Sequence, residues 1–208
     1  MLKGWAQPQP AWEALRTSGV ESRFEAQHKT RLTPPIGRDE EIDLLLRRWH
    51  EAARGEGSVV LLTGEPGIGK SHITLALQER LKDAEPHITV RHFCSAHHTN
   101  SALYPFIRQL ERAARFERAD SPGTKFARLE ALLMLSGADA EQVVLPLANL
   151  LSLPASDRFR VSELSPQKLK ELTLAAFLTQ LNALAARQPV FVIFEDAHWA
   201  DPTSLELL

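Results

Sequence analysis

The sequence predicts an α/β fold, with a parallel sheet between two layers of helices, and three observations predict it. Residues 58–63 and 190–194 form two short runs dominated by apolar side chains, as strands covered on both faces require. A glycine-rich turn at residues 64–71 leads directly from the first run into a helical period. Between the turn and the second run, most of the sequence is helical in pattern, so a large helical insertion is expected within the sheet topology.

The elements follow in order. Residues 1–35 hold Pro8, Pro10, Pro34 and Pro35 and keep no sustained period, which predicts a linker rather than a core. From Asp39, the residues Ile42, Leu45, Leu46, Trp49 and Ala53 fall on one helical face, with acids in the first turn and Arg47 and Arg48 near the end. Ser58-Val59-Val60-Leu61-Leu62-Thr63 reads as a strand, and a helix is expected over about 70–82. A second strand is expected at 88–94, after Pro86. The stretch 101–187 reads as helices broken at Pro122-Gly123, Gly137, Pro146 and Pro154. Its clearest helix takes Ser165 as N-cap and Pro166 as first residue, ends near Arg187, and is expected to bury Leu174, Phe177, Leu178, Leu181 and Leu184. Val190-Phe191-Val192-Ile193-Phe194 is a strand closed by Glu195-Asp196, and Asp201-Pro202 starts another helix.

Composition narrows the function classes. With 208 residues and 44% of them apolar, the chain can build a sizeable core. Its 24 basic side chains against 26 acidic ones give no basic field for holding nucleic acid. The single cysteine, Cys94, can form neither an internal disulfide nor a cysteine zinc site alone, which suits a reducing, cytoplasmic setting. No uncharged apolar run approaches the ~20 residues of a membrane helix.

Gly64-Glu65-Pro66-Gly67-Ile68-Gly69-Lys70-Ser71 matches G-x-x-x-x-G-K-[ST] at every fixed position, between an expected strand and an expected helix. A loop of small residues lets backbone N–H groups turn toward the oxygens of a triphosphate. Lys70 would place a positive charge on the β and γ oxygens, and the Ser71 hydroxyl would coordinate Mg2+ that accompanies ATP. His72 continues this cradle into the helix. Glu195 and Asp196 emerge at the C-terminal end of a buried strand, where open parallel sheets bind ligands. One carboxylate would serve the Mg2+ shell and the other the attacking water; position favours Glu195 for the metal and Asp196 for the water, and the reverse assignment stays open.

Ile36-Gly37-Arg38-Asp39-Glu40-Glu41, the glycine loop, and Phe194-Glu195-Asp196-Ala197-His198-Trp199-Ala200-Asp201-Pro202 together resemble the signal-transduction ATPases with numerous domains, a branch related to the AAA+ proteins. The resemblance covers 36–208 and implies a three-layer P-loop ATPase domain in which Ile36, Gly37 and Arg38 pack beside the adenine. Arg38 could touch the base or ribose, or only pair with a neighbouring acid. His198 and Trp199 read either as a sensor of the catalytic water or as local packing. Leu2-Lys3-Gly4, Ala11-Trp12 and Ser22-Arg23-Phe24-Glu25-Ala26 resemble the tail of a class III adenylate or guanylate cyclase domain and its linker. That resemblance implies a bacterial regulator with a cyclase-like domain upstream and helical repeats downstream, possible oligomers, and no cyclase chemistry in this segment.

In the sheet order of these relatives, the next strand after residues 190–195 lies between the P-loop strand and that acidic strand. The 208 residues are therefore expected to be a fragment, with a sensor residue, an arginine finger and a lid supplied from elsewhere and hydrolysis by this piece slow or nil. The competing expectations are a nucleotide-binding regulatory scaffold without useful turnover and a non-functional remnant. His92, Cys94, His97 and His98 meet no established zinc spacing, and a polar strand end, where Asn100 or a histidine could face the terminal phosphate, is the preferred reading.

Overall fold

The structure, a computed structural model, describes residues 35–83, 85–137, 139–154 and 164–208. Of the linker and cyclase-like tail expected in residues 1–35, residues 1–34 lie outside the described residues.

Helix α1, Asp39–Glu51, carries Asp39, Glu40 and Glu41 in its first turn and Arg48 and His50 in its last, each sign at the end where the helix dipole favours it. It buries Ile42, Leu45 and Trp49, three of the five expected stripe residues, with Leu46 partly covered. Ala53 falls beyond the α-helix, in a π-helical turn at Ala52–Glu56 that breaks at Gly55, where φ is 100°. Helix α2, Lys70–Lys82, follows the glycine loop and buries Ile73, Leu77 and Leu81. These two helices share one apolar cluster, into which Leu62 and Phe191 also pack.

The sheet among the described residues has two strands, β1 (Ile88–Phe93) and β2 (Val190–Glu195), paired in parallel with Ile88 opposite Val190 and Phe93 opposite Glu195. Side chains alternate across it. Phe191 meets Trp49 of α1 edge to face on one side. On the other side, His92 and Phe194 lie against Phe106, which in turn meets Phe177. Helical residues thus meet both faces of this small parallel sheet, which is consistent with an α/β P-loop fold.

Residues 58–63 depart from expectation. They carry no ladder, and Val59 and Leu61 are 94% and 78% exposed. No neighbouring strand meets their backbone groups among the described residues. Cys94 N donates to Glu195 O and Ile88 N to Pro189 O, so the odd-numbered backbone groups of β2 face β1. Those of Val190, Val192 and Phe194 point to the opposite edge, which no described strand occupies. A run apolar on both sides reports that it belongs in a sheet, but cannot form one alone.

Helices α3 (Tyr104–Ala113), α4 (Pro122–Met134), α5 (Ala140–Leu150) and α6 (Pro166–Ala185) lie between the strands in sequence. Pro122 and Pro166 each occupy the first turn behind a serine cap: Ser121 Oγ accepts from Thr124 N, and Ser165 Oγ accepts from Lys168 N. Pro146 does not break the chain as expected, but sits inside α5. A mid-helix proline costs about 3 kcal/mol. Burying a large apolar side chain returns ~1.5–3 kcal/mol, and Val143, Val144 and Leu147 are all buried around it. In α6 the covered positions are Thr173 and Ala176, with Phe177 partly covered, whereas Leu178 and Leu181 are 49% and 38% exposed. The expected stripe is thus only partly covered: Leu174, Phe177 and Leu184 are half-buried, while Leu178 and Leu181 face out and Ala176 takes the buried place in the cluster.

After β2, a single 3₁₀ turn (Ala197–Trp199) leads to α7, Pro202–Leu207. Asp201 caps α7 as expected, accepting from Ser204 N.

Candidate functional site

The glycine loop owes its shape to three residues in backbone regions that side chains disfavour: φ is 153° at Gly64, 83° at Gly67 and 103° at Gly69. A Cβ on Gly64 would come within 3.1 Å of Ile68 Cγ2, while at Gly67 and Gly69 it would meet nothing within 4 Å. The loop is therefore tight at its entry and open at its apex. Gly69 serves as N-cap of α2, and the first helical bond runs from Ile73 N to Gly69 O. The amides of Lys70, Ser71 and His72 precede that bond, at the positive end of the helix. Lys70 Nζ donates to Gly64 O at 2.9 Å and to Glu65 O at 3.0 Å, which curls the ammonium back over the loop.

Arg38 joins this loop. Its Nη2 donates to Ile68 O at 3.3 Å, and its Nη1 donates to Glu41 Oε1 at 2.7 Å. The hydrogen bond from Arg38 is the main cause holding the Glu41 carboxyl below its ordinary range. Arg38 thus pairs with an acid of the helix it precedes, as one of its two readings expected, and it also touches the glycine loop. Gly37 adopts φ 69°, and Ile36 is exposed.

Glu195 ends β2, on the face shared by Ile193 and Phe191, toward α1. Its Oε1 accepts from Arg91 Nη2 at 2.8 Å. Asp196 takes a left-handed conformation, φ 56° and ψ 40°, in order to cap the 3₁₀ turn. For a residue with a side chain that geometry is strained, and such strain clusters where a group must be aimed. His198 and Trp199 lie side by side with ring centroids 4.8 Å apart, and Trp199 is exposed.

The histidines and cysteine of the β1 end disperse. His92 is buried between Phe106 and Phe194, with Nδ1 3.4 Å from Pro105 O, and burial pulls its pKa down to about 4. Burial, aided by the Asp201 and Asp196 carboxylates, pushes the Cys94 thiol up to about 12. His98 stacks on Tyr104 at 3.7 Å. Among the described residues no three His, Cys, Asp or Glu side chains are grouped so as to hold a metal by themselves.

Two participants escaped the sequence reading. Arg91 sits inside a strand beside the more conspicuous His92 and Cys94, and only a charged residue within an apolar run flags it. Asp201 stands in the sequence as a helix start alone, yet its Oδ1 also accepts from Leu103 N at 3.1 Å.

The residue types suit a Mg-nucleotide. A lysine and the backbone amides at a helix start match phosphate oxygens, and the Ser71 hydroxyl with a Glu195 or Asp196 carboxylate forms the hard oxygen donor set that Mg2+ prefers.

Comparison with known proteins agrees. Residues 34–208 match a family described as the AAA ATPase domain. An uncharacterized protein of Rhizobium meliloti (strain 1021) is 32% identical over 207 residues, a match that covers 100% of this chain and 20% of that protein. The chain thus spans one fifth of the length of that curated relative. No solved structure matches.

Proposed function

The chain belongs to the AAA ATPase domain family, and from that premise we propose that it is the ATP-binding, slowly hydrolysing module of a larger bacterial signalling protein. The observation that carries this reading is the glycine loop itself, with Gly69 left-handed at the mouth of α2 and Lys70 drawn over Gly64 and Glu65. A triphosphate offers better acceptors for that ammonium than two peptide carbonyls, because its oxygens carry full negative charge where a carbonyl presents only a dipole. Lys70 would move from the loop carbonyls to the β and γ oxygens, while the amides of Gly67 to Ser71 line the chain of phosphates. Ser71 and Glu195 would hold Mg2+, which when bound neutralises charge on the phosphate oxygens. Asp196 would orient the attacking water and take its proton as the new O–P bond forms and the bond to the β-phosphate oxygen breaks. Gly37 and Arg38, with Ile36, would flank the adenine.

The parent protein is the setting for this chemistry. The extent of the Rhizobium relative leaves room for further domains, and the resemblance of the N-terminal segment supports a cyclase-like neighbour, with helical repeats on the other side. ATP state would then bias the arrangement of those domains.

Phosphate release by the full-length protein tests this reading. Release that stops in Glu195→Gln or Asp196→Asn while ATP stays bound supports an ATPase. Nucleotide binding with no release in the parent would leave a regulatory scaffold instead, a reading favoured by the engagement of Glu195 with Arg91.

A further inference from the structure

Glu195 is the residue most needed at the metal, yet its carboxylate is already committed. Arg91 lies on β1 opposite Ile193, so Arg91 and Glu195 share one face of the sheet on a diagonal, and the guanidinium reaches Oε1 at 2.8 Å. The side chains are only 16% and 15% exposed, whereas Arg48 and Glu51, a surface pair of similar length, are 53% and 35% exposed. Exposed pairs are weak and labile, but an enclosed one resists separation because either partner left alone would be an uncompensated charge.

Arg91 is itself braced. Its guanidinium lies 4.9 Å from the centroid of the Phe93 ring, and the Arg112 guanidinium lies at the same distance from that ring. Arg112 Nη2 also donates to Arg91 O at 2.7 Å, tying the outer edge of β1 to α3. Phe93 stands opposite Glu195 in the register, so the clamp surrounds the acidic strand end itself.

We propose that Arg91 is a positioning residue that competes with Mg2+ for the Glu195 carboxylate and so sets the metal concentration at which the site assembles. The proposal rests on the reading of residues 64–71 and Glu195 as a Mg-nucleotide site. Coupling of this kind is reciprocal: whatever holds the carboxylate on Arg91 weakens Mg2+, and whatever loosens Arg91, such as movement of α3 through Arg112, strengthens it. Input from an attached domain would thereby reach the metal without touching the nucleotide.

The test is a Mg2+ titration of fluorescent ATP-analogue binding to the full-length protein, with wild type, Arg91→Met, Arg91→Lys, Glu195→Gln and the Arg91→Met/Glu195→Gln double variant. Arg91→Met should lower the half-saturating Mg2+ at least about fivefold, the lower end for coupled sites, with Mg-free nucleotide binding unchanged. In the Glu195→Gln background the same substitution should have no further effect. Arg91→Lys, which keeps the charge and loses the planar fork, should shift the midpoint in the same direction by less, and it decides the matter if Arg91→Met fails to fold. An unchanged or raised midpoint, or an equal shift in the Glu195→Gln background, overturns the role of Arg91 while leaving nucleotide binding intact. If wild type binds no nucleotide with or without Mg2+, the underlying functional reading falls and takes this one with it.

Discussion

Asp201, behind the acidic strand end, accepts a hydrogen bond from the backbone of Leu103, 98 residues earlier in the chain. The same carboxylate accepts from Ser204 N at 3.0 Å and from Ser204 Oγ at 2.5 Å. Leu103 is held at φ 57° as the N-cap of α3, so one buried anion fixes the start of two helices.

Replacing Asp201 should therefore cost more than a lost cap. We expect Asp201→Ala to destabilise by about 3 kcal/mol, since bonds to a charged acceptor are worth ~1.5–3 kcal/mol and three donors are stranded. Asp201→Asn keeps an acceptor oxygen and should cost about 1 kcal/mol, the usual scale of a cap. Denaturant midpoints compare the two; equal costs would show that the negative charge contributes nothing.

Acid should act through His92. Its folded pKa of about 4 lies below the ordinary histidine value of 6.5, so between those two values the unfolded chain binds more protons than the folded one. The neutral-ring contribution is fully present above pH 6.5 and is lost as pH falls toward 4, by ~3 kcal/mol at most. Urea unfolding at pH 7 and pH 4.5 should show a smaller pH penalty for His92→Phe than for wild type. An identical penalty would mean that His92 charges as easily in the fold as outside it.

Cys94 should be chemically silent. With its thiol pushed up to about 12 and its side chain buried, it carries almost no thiolate at neutral pH. An aromatic disulfide reagent at pH 8 should modify it at the rate of global unfolding; immediate modification would contradict its placement.

Residues 58–63 should exchange amide hydrogens rapidly, because no ladder protects them. Cys94, whose amide bonds Glu195 O, should exchange far more slowly. Equal protection in native-state exchange by mass spectrometry would show that residues 58–63 are paired.

These elements mark what could be read from sequence. The extent of α2, the caps Ser165 and Asp201, and the pairing-competent runs at 88–93 and 190–195 were legible because each rests on local chemistry: a glycine turn, a capping hydroxyl or carboxylate, an apolar run. The failures lie where a neighbour decides. Residues 58–63 are apolar enough for a strand but need a partner, Pro146 is tolerated because Val143, Val144 and Leu147 are buried around it, and the face of α6 that carries Thr173 and Ala176 is the one the neighbouring cluster covers. In the site, the glycine loop was visible as a fixed spacing. The Arg91–Glu195 pair spans 104 positions and depends on strand register, which no local pattern encodes.

The central claim is that residues 64–71 bind the phosphates of a Mg-nucleoside triphosphate. Titration of the full-length protein with labelled ATP in Mg2+ tests it most directly, with Lys70→Ala alongside. Saturable binding that weakens at least about a hundredfold in Lys70→Ala, a loss of ~2.7 kcal/mol, is the result expected. Binding of equal strength in both proteins, or in neither, would contradict it.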